Sequence, residues 1–162
     1  MFPEKIDHLA RRVVARAMER GVMIATAESC TGGLVAAAIT AVAGSSAVLD
    51  RGFVTYSYPA KIRMLGVKPL TLEAHGAVSQ ATALEMARGA LAQSDGTVAV
   101  AITGIAGPGG GMDDKPVGLV HFAAAGPDGV VHMERRFGDI GREAVRLASV
   151  QQALEMLLER LG

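Results

Sequence analysis

Apolar residues recur along the chain with two different periods. Ile6, Leu9, Val13 and Ala17 fall three or four positions apart. That is the spacing of one helical face, and it predicts a helix over residues 3–20. Pro3 suits a first helical turn, and Gly21 closes the segment. Val22 to Ala27 is a short apolar run that reads as a buried strand. From Thr31 to Val42 nearly every residue is small or apolar, which predicts a helix ended by Gly44. A helix with so little polar face belongs inside the protein. Gly52 to Ser57 predicts a second strand, and short helices are expected over 59–65 and 71–75. Ser79 can cap a helix over 80–93, and Thr97 to Thr103 predicts a third, fully apolar strand. Val117–Ala125 and Val130–Phe137 are strands joined by GPDG, a turn signal for an antiparallel hairpin. Leu147, Val150, Leu154, Leu157 and Leu161 form the apolar stripe of a last helix over 141–161, which should pack on the sheet.

Helices alternate with strands and a hairpin comes late. This predicts an α/β fold, a three-layer α/β/α sandwich with a mixed, mostly parallel sheet. The 162 residues are expected to form one domain, 1–162. Aromatic residues make up 4% of the chain and Trp is absent, so the core must be built from Ala, Val, Leu, Ile and Met.

Charge narrows the function classes. Sixteen basic and sixteen acidic side chains cancel. A zero balance leaves no electrostatic footprint for nucleic acid or a membrane surface. It does permit self-association, so a homodimer is one expectation. A single cysteine cannot form an internal disulfide and suits a reducing cytoplasm. The first residues, MFPEKIDHLARR, lack an apolar signal core. No apolar run approaches the roughly 18 residues that a membrane span requires.

Four segments could carry chemistry. In TAESCTGG, residues 26–33, a carboxylate, a hydroxyl and a thiol stand between an apolar strand and a helix. Amides at such a corner can hold a phosphate or a developing oxyanion. Glu28, Ser29 and Cys30 are all candidates, against the alternative that Ser29 or Thr31 merely caps the helix. The second segment is the glycine-rich loop over 104–116. It fits neither G-x-x-x-x-G-K-[ST] nor G-x-G-x-x-G, where Met112 takes the last place. The third, YSYPAK over 56–61, offers Tyr56, Tyr58 and Lys61. A lysine in a dry site near a serine can act as a base. The fourth is GDIGREAVR over 138–146, where Arg142 and Arg146, one helical turn apart, can face one anion. The four histidines are scattered, and Asp113 and Asp114 read as solvated loop acids, so no metal site is expected. Only His75 stands in reserve for a Ser-His-Asp arrangement.

TAESCTGG, GSSAVLDRGFVTYSYPAK, HGAVS, AITGIAGPGGG and KPVGLV together resemble the C-terminal domain family of the competence/damage-inducible protein CinA. Its stand-alone members are nicotinamide-nucleotide amidohydrolases. The resemblance implies hydrolysis of nicotinamide mononucleotide to nicotinate mononucleotide and ammonia, within NAD recycling. It implies Ser29 as the nucleophile, with Tyr56 and Lys61 as catalytic partners. The S/T-G-I-A-G-P segment falls on Thr103, Gly104, Ile105 and the three residues after them. The late arginines fall on Arg142 and Arg146. Tyr58 departs from the usual pattern and competes with Tyr56. The last segment carries extra residues, which leaves the choice between the two arginines open.

The expected mechanism is acyl transfer at an amide. Ser29 attacks the carboxamide and neutral Lys61 takes its proton, directly or through Tyr56. Amides near Thr31, Gly32 and Gly33 hold the oxyanion. Thr103 and the following loop line the pocket, and Arg142 or Arg146 binds the phosphate. Glu28 keeps a supporting role in orienting the loop. No cofactor is called for. The rival expectation is a non-catalytic module that binds a nucleotide or a protein partner.

Overall fold

The computed structural model describes residues 1–162. Five strands form one sheet in the order β2-β1-β3-β4-β5. They are β1 (Ile24–Glu28), β2 (Leu49–Val54), β3 (Val98–Gly104), β4 (Leu119–Gly126) and β5 (Gly129–Arg136). β1 pairs in parallel with both β2 and β3, while β3–β4 and β4–β5 are antiparallel, so β4 alone runs against the others. The predicted α/β/α sandwich with a mixed sheet is the observed architecture.

The two faces of the sheet differ in side-chain size rather than in polarity. On one face Ile24, Val98, Val100, Ile102, Val120 and Phe122 form the larger core. They pack against α1 (Glu4–Arg20), α2 (Leu34–Thr40) and α6 (Arg142–Leu161). On the other face Ala25, Ala27, Ala99, Ala101, Ala123 and Ala125 present only methyl groups. This shallow face admits α5 (Gln80–Ala92), flanked by α3 (Tyr58–Leu65) and α4 (Pro69–His75). Packing on that side is close: a Cβ on Gly89 of α5 would sit 1.9 Å from the Leu65 carbonyl oxygen at the end of α3.

Several boundaries depart from the expectation, β2 and α2 by the most, and β2 ends at Val54 rather than Ser57. β2 starts at Leu49, three residues early: on this edge strand Arg51 reaches solvent and pairs at 2.6 Å with the partly buried Asp50 carboxylate, which also accepts from the Asp95 amide at 3.0 Å. α2 starts at Leu34, not Thr31. Gly32 and Gly33 have φ of 59° and 101°, left-handed values outside the right-handed α-helix. The glycine pair therefore forms a turn between the polar segment and the helix. β1, β2 and β3 all deliver their C-terminal ends to the same edge of the sheet, the edge where open α/β sheets bind ligands. No helix is long and apolar enough to cross a membrane.

Candidate active site

Ser29 follows the last residue of β1 and is 9% exposed. Its amide donates to the Ile102 carbonyl of β3 at 3.0 Å, which holds the residue at the sheet's end. Lys61 reaches it from α3. Ser57 caps this helix, accepting from the Ala60 amide at 3.2 Å, and Pro59 lies in its first turn. The Lys61 side chain is 1% exposed and runs inward. Its Nζ donates to Ser29 Oγ at 2.9 Å and to the Thr55 carbonyl at 2.7 Å. No carboxylate pairs with this ammonium. Burial without a counter-charge disfavours the charged form, and Lys61 falls to a pKa of about 8. The same burial pushes the neighbouring Cys30 thiol up to about 12, and Cys30 is 5% exposed. A thiol in that state is a packed apolar side chain rather than a nucleophile.

Glu28 organises the turn after Ser29. It is fully buried, and its two carboxylate oxygens accept from the Val35 amide at 2.8 Å and the Ala36 amide at 3.0 Å. Thr26 Oγ1 donates to it at 3.4 Å. The first amides of α2 are thus taken by a side chain from β1, an arrangement that suits a helix N-terminus. The Glu28 carbonyl also accepts from the Thr55 amide at 2.9 Å. One residue therefore ties together the Ser29 turn, α2 and the segment whose carbonyl holds Lys61. The supporting role expected of Glu28 has this physical content.

The amides expected to cradle an oxyanion do not behave alike. Gly32 donates to the Ser29 carbonyl at 3.0 Å and is spent. Gly33 stands against Val54, and neither glycine lines the pocket. The amides of Cys30, Thr31 and Gly33 have no protein acceptor, and of these three residues only Cys30 lines the pocket.

The pocket has a volume of about 270 Å³ and is bordered by Ser29, Cys30, Tyr56, Lys61, Thr103, Gly104, Ile105 and Arg142. Residues from four of the sequence segments meet here. Thr103 is fully buried and donates through Oγ1 to the Ala77 carbonyl at 2.7 Å, closing one wall. The Ile105 amide donates to the Leu119 carbonyl at 2.9 Å and pins the start of the glycine-rich loop to β4.

The structure separates the paired alternatives. Tyr56 borders the pocket, whereas Tyr58 begins α3 and accepts from the Ala77 amide at 3.2 Å. Arg142 spans the pocket mouth, donating to the Gly107 carbonyl at 2.8 Å and to the Tyr56 hydroxyl at 2.9 Å. Arg146 lies behind the turn, donating to the carbonyls of Cys30 at 3.1 Å and Thr31 at 3.2 Å. A larger cavity of about 860 Å³ lies beyond it, bordered by both arginines, Phe2 and Leu34, with no nucleophile.

The model of the CinA C-terminal domain matches residues 6–161. The chain belongs to this family. It is 51% identical over 152 residues to a CinA-like protein of Synechococcus sp. (strain RCC307), covering 93% of the chain but only 36% of that protein. It is 48% identical to the Nicotinamide-nucleotide amidohydrolase PncC of Enterobacter agglomerans, covering 98% of the chain and 96% of the relative. The crystal structure of competence/damage inducible protein CihA from Agrobacterium tumefaciens superposes with a TM-score of 0.97 at 59% identity, over 98% of this chain and 97% of that one. The CinA C-terminal domain thus occurs both as part of longer proteins and at about the length of this chain.

Proposed function

We propose that this CinA-family chain hydrolyses the carboxamide of nicotinamide mononucleotide, giving nicotinate mononucleotide and ammonia. Full-length likeness to proteins named nicotinamide-nucleotide amidohydrolase supports the substrate. The observation that carries the chemistry is the 2.9 Å contact between Lys61 Nζ and Ser29 Oγ in a dry setting.

Neutral Lys61 accepts the Ser29 proton as Oγ attacks the carboxamide carbon. The oxygen that gains charge is held by backbone amides, with Cys30 the candidate whose amide has no protein acceptor and whose residue lines the pocket. The Lys61 ammonium then gives its proton to the departing nitrogen, which leaves as ammonia. Water enters, Lys61 takes one of its protons as the oxygen adds to the acyl carbon, and the Lys61 ammonium returns that proton to Ser29 Oγ as it leaves, which restores the hydroxyl and the neutral amine. The direct contact makes a tyrosine relay unnecessary for activating Ser29, so Tyr56 serves at the mouth of the pocket. Arg142 receives the phosphate there, and Arg146 braces the nucleophile turn. In this reading the enzyme returns a by-product of NAD consumption to NAD synthesis.

A module that only binds has no use for a buried, unpaired lysine beside a serine, since burying that ammonium costs stability. Ammonia release from a panel of pyridine amides, with and without ribose and phosphate, tests the reading. Binding without turnover contradicts it.

A further inference from the structure

Arg142 has partners poorly matched to a guanidinium. Its two hydrogen bonds go to a phenol and a backbone carbonyl, both neutral. No carboxylate lies within ion-pair reach of it. A guanidinium binds a phosphate dianion far better than either group, through two parallel N–H···O bonds. Both present contacts are made through Nη1 and Nη2, so a dianion held in parallel by those two nitrogens competes with them.

Those two contacts join pieces of chain with independent anchors. Arg142 sits in the first turn of α6, Gly107 in the loop after β3 and Tyr56 just after β2. All three border the pocket that holds Ser29 and Lys61. Tyr56 is 61% exposed, and its hydroxyl makes no hydrogen bond to the protein apart from that with Arg142. The side chain that would recognise phosphate is therefore also the strap across the mouth.

We infer that Arg142 is a phosphate-operated clasp, in which the substrate's phosphate monoester draws the guanidinium away from Tyr56 and Gly107 and so lets the mouth adjust around the nicotinamide. The inference rests on the proposed reading of the pocket. Its consequence is that phosphate affinity is spent on rearrangement and appears in kcat as well as KM. A phosphate supplied separately then activates a substrate that lacks one.

The test uses the purified protein, nicotinamide riboside as the phosphate-free substrate, and inorganic phosphite as the separate dianion. Saturating phosphite should raise riboside deamidation roughly tenfold or more, the scale of ordinary coupling between two sites. In Arg142→Ala the response should vanish, and the preference for nicotinamide mononucleotide over the riboside should fall. Tyr56→Phe removes one end of the clasp and should shrink the phosphite response. The ratio of rates with and without phosphite is internal to each variant, so partial loss of activity does not obscure it. Turnover of the mononucleotide with no phosphite effect on the riboside overturns the clasp and leaves the proposed function standing. No turnover of either substrate overturns both.

Discussion

Lys61 Nζ donates to Ser29 Oγ at 2.9 Å, from a side chain that is 1% exposed and faces no carboxylate. The pairing brings together residues 32 positions apart, one after β1 and one on α3. Burial disfavours the charged form of Lys61, which suits it to the proposed role of base, and two consequences can be measured separately.

The first is kinetic. In the proposed mechanism the reactive form is neutral Lys61, whose pKa is lowered to about 8 by burial. The logarithm of kcat/KM for nicotinamide mononucleotide should therefore rise with unit slope below pH 8 and level off above it. A profile flat from pH 6 to 9 would exclude Lys61 as the base.

The second is thermodynamic. The folded pKa lies below the ordinary 10.5, so the folded protein binds fewer protons than the unfolded chain between about pH 8 and 10.5. The penalty on folding is complete below pH 8 and relieved as pH rises towards 10.5. It amounts to about 3 kcal/mol at neutral pH, partly offset by roughly 1 kcal/mol for each hydrogen bond of Nζ. Lys61→Met should thus be more stable than wild type at pH 7 by about 1–2 kcal/mol, while inactive. Denaturant titrations across pH 7–10.5 should show the gap closing. A less stable variant at pH 7 contradicts this account of the site.

Cys30 is the chemical rival of Ser29. With its thiol pushed up to about 12, almost none is thiolate at neutral pH. Iodoacetamide should modify it far more slowly than a free thiol, and Cys30→Ala should keep most of the activity. Loss of activity in this variant with the fold intact would move the nucleophile by one residue.

Glu28 should matter to both stability and rate. Glu28→Ala leaves the Val35 and Ala36 amides without their acceptor. The expected cost is about 2–3 kcal/mol, or a fall in Tm of roughly 5–10 °C. Glu28→Gln retains one acceptor oxygen and should lose less. Both should lower kcat more than they raise KM, because the Ser29 turn is loosened while the proposed phosphate contact at Arg142 stays intact. An unchanged Tm in Glu28→Ala would remove the clamp from the account.

Much of this arrangement was legible in the residue pattern, and the limits have physical causes. ESCTGG after an apolar strand and AK after YSYP marked the two halves of the Ser29–Lys61 pair, because strand-to-helix corners put side chains at one edge of the sheet. The chain alone did not show which amides at the corner stay free. That depends on the Glu28 rotamer and on the left-handed turn at Gly32 and Gly33. Tyr56 and Tyr58 differ by two residues, and only the cap at Ser57 decides that Tyr58 begins a helix and turns toward Ala77. Arg142 and Arg146 share a helix face, yet the paths of two distant loops decide that one meets Tyr56 and the other meets Cys30 and Thr31. β2 starts earlier than expected because its first residues include Asp50 and Arg51, charges that break an apolar run but that the edge strand pairs with each other.

In the proposed reaction Ser29 attacks the carboxamide of nicotinamide mononucleotide, and its removal tests this most directly. Ammonia release should be measured for wild type and Ser29→Ala, with folding of both checked by circular dichroism. The account predicts steady release by wild type and a loss of at least about 10³-fold in the variant. Wild-type rates in folded Ser29→Ala would contradict it.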